Sequence, residues 1–92
     1  MIVKAIFYGI LTEWVGEKDV EFEIPDGATY GRLLEEIGLR FGNRMPEMLW
    51  DRLKNDFSAP VLALSSNGRI NSEESILEED EEVTFMLKVG GG

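Results

Sequence analysis

The two most apolar, strand-like stretches of this chain stand at its opposite ends, and that placement restricts the fold more than anything between them. Val83, Phe85, Leu87 and Val89 alternate with Thr84, Met86 and Lys88, the two-residue period of a half-buried strand. The opening stretch, MIVKAIFYGIL, is rich in β-branched and aromatic residues on both faces, as suits a strand in the middle of a sheet. Such a pair buries its apolar surface most simply as central neighbours, so the chain must leave the first strand, cross one face and return beside it.

What lies between supplies the crossing. LTEWVGEKD reads as a loose polar turn around Gly16, and VEFEI alternates Val20, Phe22 and Ile24 inward against Glu21 and Glu23 outward. Pro25-Asp26-Gly27 ends that strand with turn chemistry, which completes a first hairpin. Thr29 is the N-cap of a helix whose Tyr30, Leu33, Leu34, Ile37 and Phe41 share one face; Glu36 and Arg40 pair on the other, and Gly42-Asn43 stops it. Pro46 opens a shorter second helix, with Met45, Met48, Leu49 and Leu53 as its stripe. PVLAL then starts a strand, Asn67-Gly68 is a hairpin signal, and Arg69-Ile70 returns briefly. NSEESILEEDEE is an acidic loop anchored by Ile76 and Leu77. The order predicts an α+β fold with a mixed sheet of four to five strands and one main helix packed across it, the arrangement called a β-grasp or ubiquitin-like fold. Residues 1–92 read as a single domain that carries a flexible glycine tail, Gly90 to Gly92.

Composition narrows the chemistry. The chain has no cysteine and no histidine, which removes disulfides, thiolate nucleophiles, zinc clusters and imidazole bases together, so neither a resident metal nor catalysis by the chain alone is expected. With 18 acids against 9 bases the net charge is −9, which repels phosphate backbones and anionic lipid and favours a basic protein partner over nucleic acid or membrane. The chain shows no leader or long apolar span and reads as cytoplasmic. The alternating pattern and central glycine of a calcium loop are missing from the acidic run, which reads as a solvated loop. Ser65 and Ser66 lie outside any nucleophile-elbow pattern, and Trp14 and Trp50 read as packing residues.

Two features could carry function. A carboxylate that must enter another protein's active site needs a thin carrier, and glycine supplies it because it lacks a Cβ. Activation of such a carboxylate as a mixed anhydride with AMP, followed by capture by a sulfur or nitrogen nucleophile, is the chemistry a Gly90-Gly91-Gly92 tail could support. If Val83, Phe85 and Leu87 face the helix, then Met86 faces out beside Ile6 and Tyr8, giving a small apolar patch at the base of the tail. A disordered tail and scattered surface apolar residues are the bland alternatives.

FYGILTEWVG, FEIPDGATYGRLLEEI and LEEDEEVTFMLKVGGG together resemble the ubiquitin-like sulfur carriers, and among them the small subunit of molybdopterin synthase. The likeness covers nearly the whole chain and is weakest over 42–59. It implies a carrier that is not an enzyme and binds no cofactor itself. Its last glycine, Gly92, would be adenylated by an E1-like enzyme using Mg-ATP, converted to a thiocarboxylate and inserted into the synthase large subunit, where the sulfur goes to a molybdopterin precursor. The resemblance implies Gly90 and Gly91 as the tail and Ile6, Tyr8, Met86, Lys88 and Val89 as the partner-facing surface. This chain departs from the pattern in two places. A customary Asp-Gly-Asp turn reads Glu79-Asp80-Glu81, and two customary prolines are Leu87 and Lys88. A thiamine-pathway carrier, a protein modifier conjugated through Gly92 and a ubiquitin-like interaction module remain as alternative functions.

Overall fold

The computed structural model describes residues 1–88. Strand β1 (Ile2–Phe7) is followed by a short helix α1 (Ile10–Val15), β2 (Asp19–Glu23), the long helix α2 (Tyr30–Phe41), a 3-10 turn (Gly42–Arg44), and then β3 (Trp50–Asp51), β4 (Asp56–Phe57), β5 (Val61–Ser65), β6 (Gly68–Arg69) and β7 (Glu82–Leu87). Five strands form one sheet in the order β2-β1-β7-β5-β6, while β3 and β4 make a separate ribbon. The two terminal strands are indeed central neighbours: β1 and β7 run parallel with Ala5 opposite Val83 and Phe7 opposite Phe85, and the other pairings in the sheet are antiparallel. This is the mixed β-grasp sheet the alternation predicts, with α2 as the crossover.

One face of the sheet and one stripe of α2 make the core. Val3, Ala5, Phe7, Val83 and Phe85 are inaccessible or nearly so, as are Leu33, Leu34 and Ile37. The rings interlock: Phe7 stacks on Phe85 at 5.5 Å, Phe57 meets Phe85 at 5.4 Å, and Phe41 meets Phe7 and Phe22 edge-on at 6.2 and 6.4 Å. Offset and edge-on rings add specific attraction to the area they bury. Thr29 caps α2 as expected, its hydroxyl accepting from the Arg32 N–H at 3.4 Å.

Several expectations are corrected. The chain does not stay extended to Leu11, and LTEWVGEKD is not a loose turn. Gly9 turns at φ 60°, α1 buries Leu11 and Val15 one helical turn apart, and Gly16 ends it in the left-handed conformation at φ 84°, where a side chain would be strained. Trp14 on this helix is only partly covered. No second helix follows Pro46; its carbonyl accepts from the Leu49 and Trp50 N–H groups in a single turn, then β3 and β4 pair. Met45 and Leu49 are buried, but Met48 and Leu53 are 74% and 96% exposed, because Trp50 fills the space under α2. Its ring lies against Gly38, where an added Cβ would come within 3.0 Å of it. Gly42 does end α2, as expected, but in the right-handed conformation at φ −55°, where the chain passes into the 3-10 turn. Arg40 does not pair with Glu36, which takes Arg32 at 3.4 Å instead; Arg40 stacks over Phe22 at 4.4 Å and donates to the Glu21 carbonyl on the edge strand. In the acidic loop Leu77 is buried but Ile76 is exposed and joins only by a backbone bridge to Thr29. No helix among the described residues is long and apolar enough to cross a membrane.

Candidate functional site

The face of the sheet opposite α2 follows from the same alternation that builds the core. Because Val83 and Phe85 point inward, Thr84 and Met86 point outward; because Ala5 and Phe7 point inward, Ile6 and Tyr8 share the outer side. The register then sets the rows: Ile6 lies opposite Thr84, Thr84 opposite Leu64, and Met86 opposite Leu62. Tyr8 is 53% exposed and held beyond the end of β1 by its N–H bond to the Phe85 carbonyl at 3.0 Å. Ile6, Leu62, Leu64 and Met86 are half-buried, and none of them packs against the core. The outer face thus presents an apolar band on three adjacent strands.

A shallow depression of about 530 Å³ lies in this band, with Tyr8, Leu64 and Met86 on its apolar side and Asp80 and Glu82 on its acidic side. The sequence-derived surface is therefore brought together in part. Tyr8 and Met86 line the depression, while Ile6 occupies the adjoining row and Lys88 stands exposed at the end of β7. Val89, Gly90, Gly91 and Gly92 lie outside the described residues. The base of the tail is fixed nonetheless, since the Lys88 N–H donates to the Pro60 carbonyl at 2.7 Å and so prolongs the β5–β7 pairing.

Leu62 and Leu64 escaped the sequence reading. The signal was available: the Asn67-Gly68 hairpin fixes β5, and placing Ala63 inward sends its two leucine neighbours outward.

Two features of the acidic run are structural rather than merely solvated. The Glu79 carboxylate accepts the Ile2 N–H at 2.8 Å, and that of Glu81 accepts the Glu78 N–H at 2.8 Å. Asp80 takes φ 63° and donates its N–H to the Ile2 carbonyl at 2.8 Å. It stands where the resembled Asp-Gly-Asp turn has glycine, and aspartate is among the side chains that tolerate the left-handed conformation. The turn into β7 survives the loss of that glycine. Among the described residues no group of three or more His, Cys, Asp or Glu side chains gathers where a metal ion could be held.

Set beside known proteins, residues 5–92 match the model of the ThiS family. Among solved structures, SAMP1 from Haloferax volcanii superposes with a TM-score of 0.79 at 15% identity over 100% of both chains. A Pyrococcus furiosus protein assigned as molybdopterin converting factor, subunit 1 superposes at 0.73 with 26% identity, covering 96% of this chain and 98% of that one. Urm1 from Trypanosoma brucei gives 0.61 at 18% identity, covering 99% and 95%. A search of the curated proteins finds no match.

Proposed function

This chain belongs to the ThiS family of ubiquitin-like sulfur carriers, and on that premise we propose that it carries sulfur as a thiocarboxylate on Gly92 and delivers it to a molybdopterin precursor as the small subunit of molybdopterin synthase. The observation that carries this reading is the Lys88–Pro60 hydrogen bond, which anchors the tail at the rim of the apolar outer face. Gly92 lies four residues beyond Lys88, and fully extended that stretch reaches no more than about 14 Å. A terminal carboxylate on so short a tether enters a partner's active site only if the domain itself docks against the mouth of that site. The apolar band beside the anchor supplies the docking surface, and the glycines supply a thread without side chains.

In this scheme the chain is a cosubstrate. An E1-like enzyme forms the acyl-adenylate with Mg-ATP, the carboxylate oxygen displacing pyrophosphate, and a sulfur donor then displaces AMP to leave the thiocarboxylate. The likeness to the Pyrococcus furiosus protein supports the molybdopterin branch. A second reading, conjugation of Gly92 to substrate lysines, uses the same adenylate, with an amine in place of sulfur as the nucleophile.

Intact mass after incubation with ATP, the activating enzyme and a sulfur donor is expected to show one oxygen replaced by sulfur. Deleting Gly91 and Gly92 should abolish that change while leaving the unfolding midpoint where it was. An unchanged mass under conditions that charge a control carrier would overturn the proposal. Isopeptide-linked products in cell extracts would instead favour the modifier.

A further inference from the structure

On the opposite side of the sheet from the outer face, a cavity of about 280 Å³ opens between the first turn of α2, the start of β5 and the segment after β6. Val61, Ala63 and Ile70 give it an apolar wall. Asp56 and Glu73 bring two carboxylates to its lining, and Arg69 brings one guanidinium that is in no ion pair among the described residues. Tyr30 also lines it. That side chain is all but buried at 8% exposure, yet its hydroxyl makes no hydrogen bond among the described residues and is not sealed from solvent, so the cavity is where it opens. The ring is covered while the hydroxyl stays open to the cavity, where it can accept from a group outside the fold.

We propose that this cavity binds a single alkylammonium group, its methylene stem along Val61, Ala63 and Ile70 and its charged head between Asp56 and Glu73 with the Tyr30 hydroxyl as a further acceptor. The volume lies just under the usual range for small-molecule pockets, which suits one side chain or a small amine and not a nucleotide. Two carboxylates against one guanidinium leave a net negative charge, which favours a cation over an anion or a neutral guest. The apolar wall has no use for a bare metal ion but covers a carbon chain. Tyr30 keeps its proton well into alkaline solution, because burial and then the Asp56 and Glu73 carboxylates push the phenol up. Its oxygen is therefore a neutral dipole that can turn a lone pair toward the cation. The sulfur-carrier reading uses none of the residues that line this cavity, so failure here leaves that reading untouched.

The test is titration of the full chain, followed by amide proton–nitrogen correlation spectra, with butylammonium chloride, with Nα-acetyl-lysine methyl ester, and with butanol and sodium chloride as controls. Saturable shifts confined to residues around Asp56, Asn71, Ser72 and Glu73 are expected for both amines and for neither control. Tighter binding of the lysine ester would assign the occupant to a protein side chain, and equal or weaker binding to a free amine. Asp56→Asn and Glu73→Gln should each weaken binding about tenfold, the loss typical of one charged hydrogen-bond partner. Tyr30→Phe should weaken it while leaving the core resonances in place. Diffuse or unsaturable shifts, the same response to sodium chloride, or affinities unmoved by all three substitutions would overturn the proposal.

Discussion

The two faces of the central sheet are made by the same strands and the same hydrogen bonds, yet they have been given different work. On the inner face Val3, Ala5, Phe7, Val83 and Phe85 retain at most 1% of their surface; one residue along each strand, Ile6, Tyr8, Thr84 and Met86 stay within reach of solvent. The inner rings touch one another and α2, whereas among the described residues the outer apolar side chains are not packed against that core. Cohesion therefore resides on one face, the proposed docking surface lies on the other, and a residue's parity in the strand decides which face it joins.

The largest break in that division is expected from the inner face. Phe85 is inaccessible and contacts Phe7, Tyr30 and Phe57, so Phe85→Ala removes the common partner of three rings. A loss of about 3–5 kcal/mol is expected, a large share of the roughly 5–15 kcal/mol that holds a domain together. Urea unfolding measures it; a loss below about 1 kcal/mol, the range of surface changes, would mean the face is not the cohesive layer described.

Tyr30 sharpens the contrast, because it is the inner layer's one phenol. Burial first, then Asp56 and Glu73, raise its pKa above the ordinary value of about 10. The unfolded chain releases the proton near pH 10 while the folded chain keeps it. The contribution is therefore whole below about pH 10 and is lost above it, at about 1.4 kcal/mol for each pH unit until the folded group also ionises. Tyr30→Phe cannot ionise, so its stability should fall less steeply between about pH 10 and 11 than that of the unaltered chain. Parallel slopes in unfolding midpoints measured across that range would show that the phenol is not buried in this way.

How much of this could be read in advance depended on whether a local pattern had room to repeat. In β1, β7 and α2 the apolar positions recur often enough to fix both element and face, so Phe7, Phe85 and the α2 stripe were placed correctly, and with them Tyr8 and Met86. Helix α1 is six residues long and buries only Leu11 and Val15, too few to distinguish it from a turn. Over 45–53 the spacing of Met45, Met48, Leu49 and Leu53 imitated a helix, but Trp50 and Phe57, packed edge-on at 5.0 Å, outweighed it. A tertiary contact overrode a local period there. The loss of glycine in the turn before β7 also looked like a departure until the backbone placed Asp80 at φ 63°. The cavity beside Tyr30 was not legible, because its walls come from α2, β4, β5 and the segment after β6.

The smallest effect on stability is expected from the outer face, and there the comparison meets function. Tyr8→Ser with Met86→Gln removes the apolar side of the depression next to the Lys88 anchor. Neither residue packs against the core, and the Tyr8 N–H bond to Phe85 is a backbone bond that survives the change. Stability should move by no more than about 1 kcal/mol, since surface substitutions away from caps, strain and buried polar groups rarely do more. If the proposed docking is right, the same two changes should slow adenylate formation at limiting activating enzyme by at least about tenfold, because aromatic anchors at the centre of an interface each commonly contribute more than 1.4 kcal/mol. Excess enzyme should restore much of the rate, as expected when docking rather than the tail is impaired, whereas the Gly91-Gly92 deletion should not be rescued at any concentration. A double variant that loads at the normal rate would confine the recognition surface to the tail, and the outer face would then be apolar without serving the carrier. Loss of both stability and loading would show instead that Tyr8 and Met86 belong to the core, and the division between the two faces would fail.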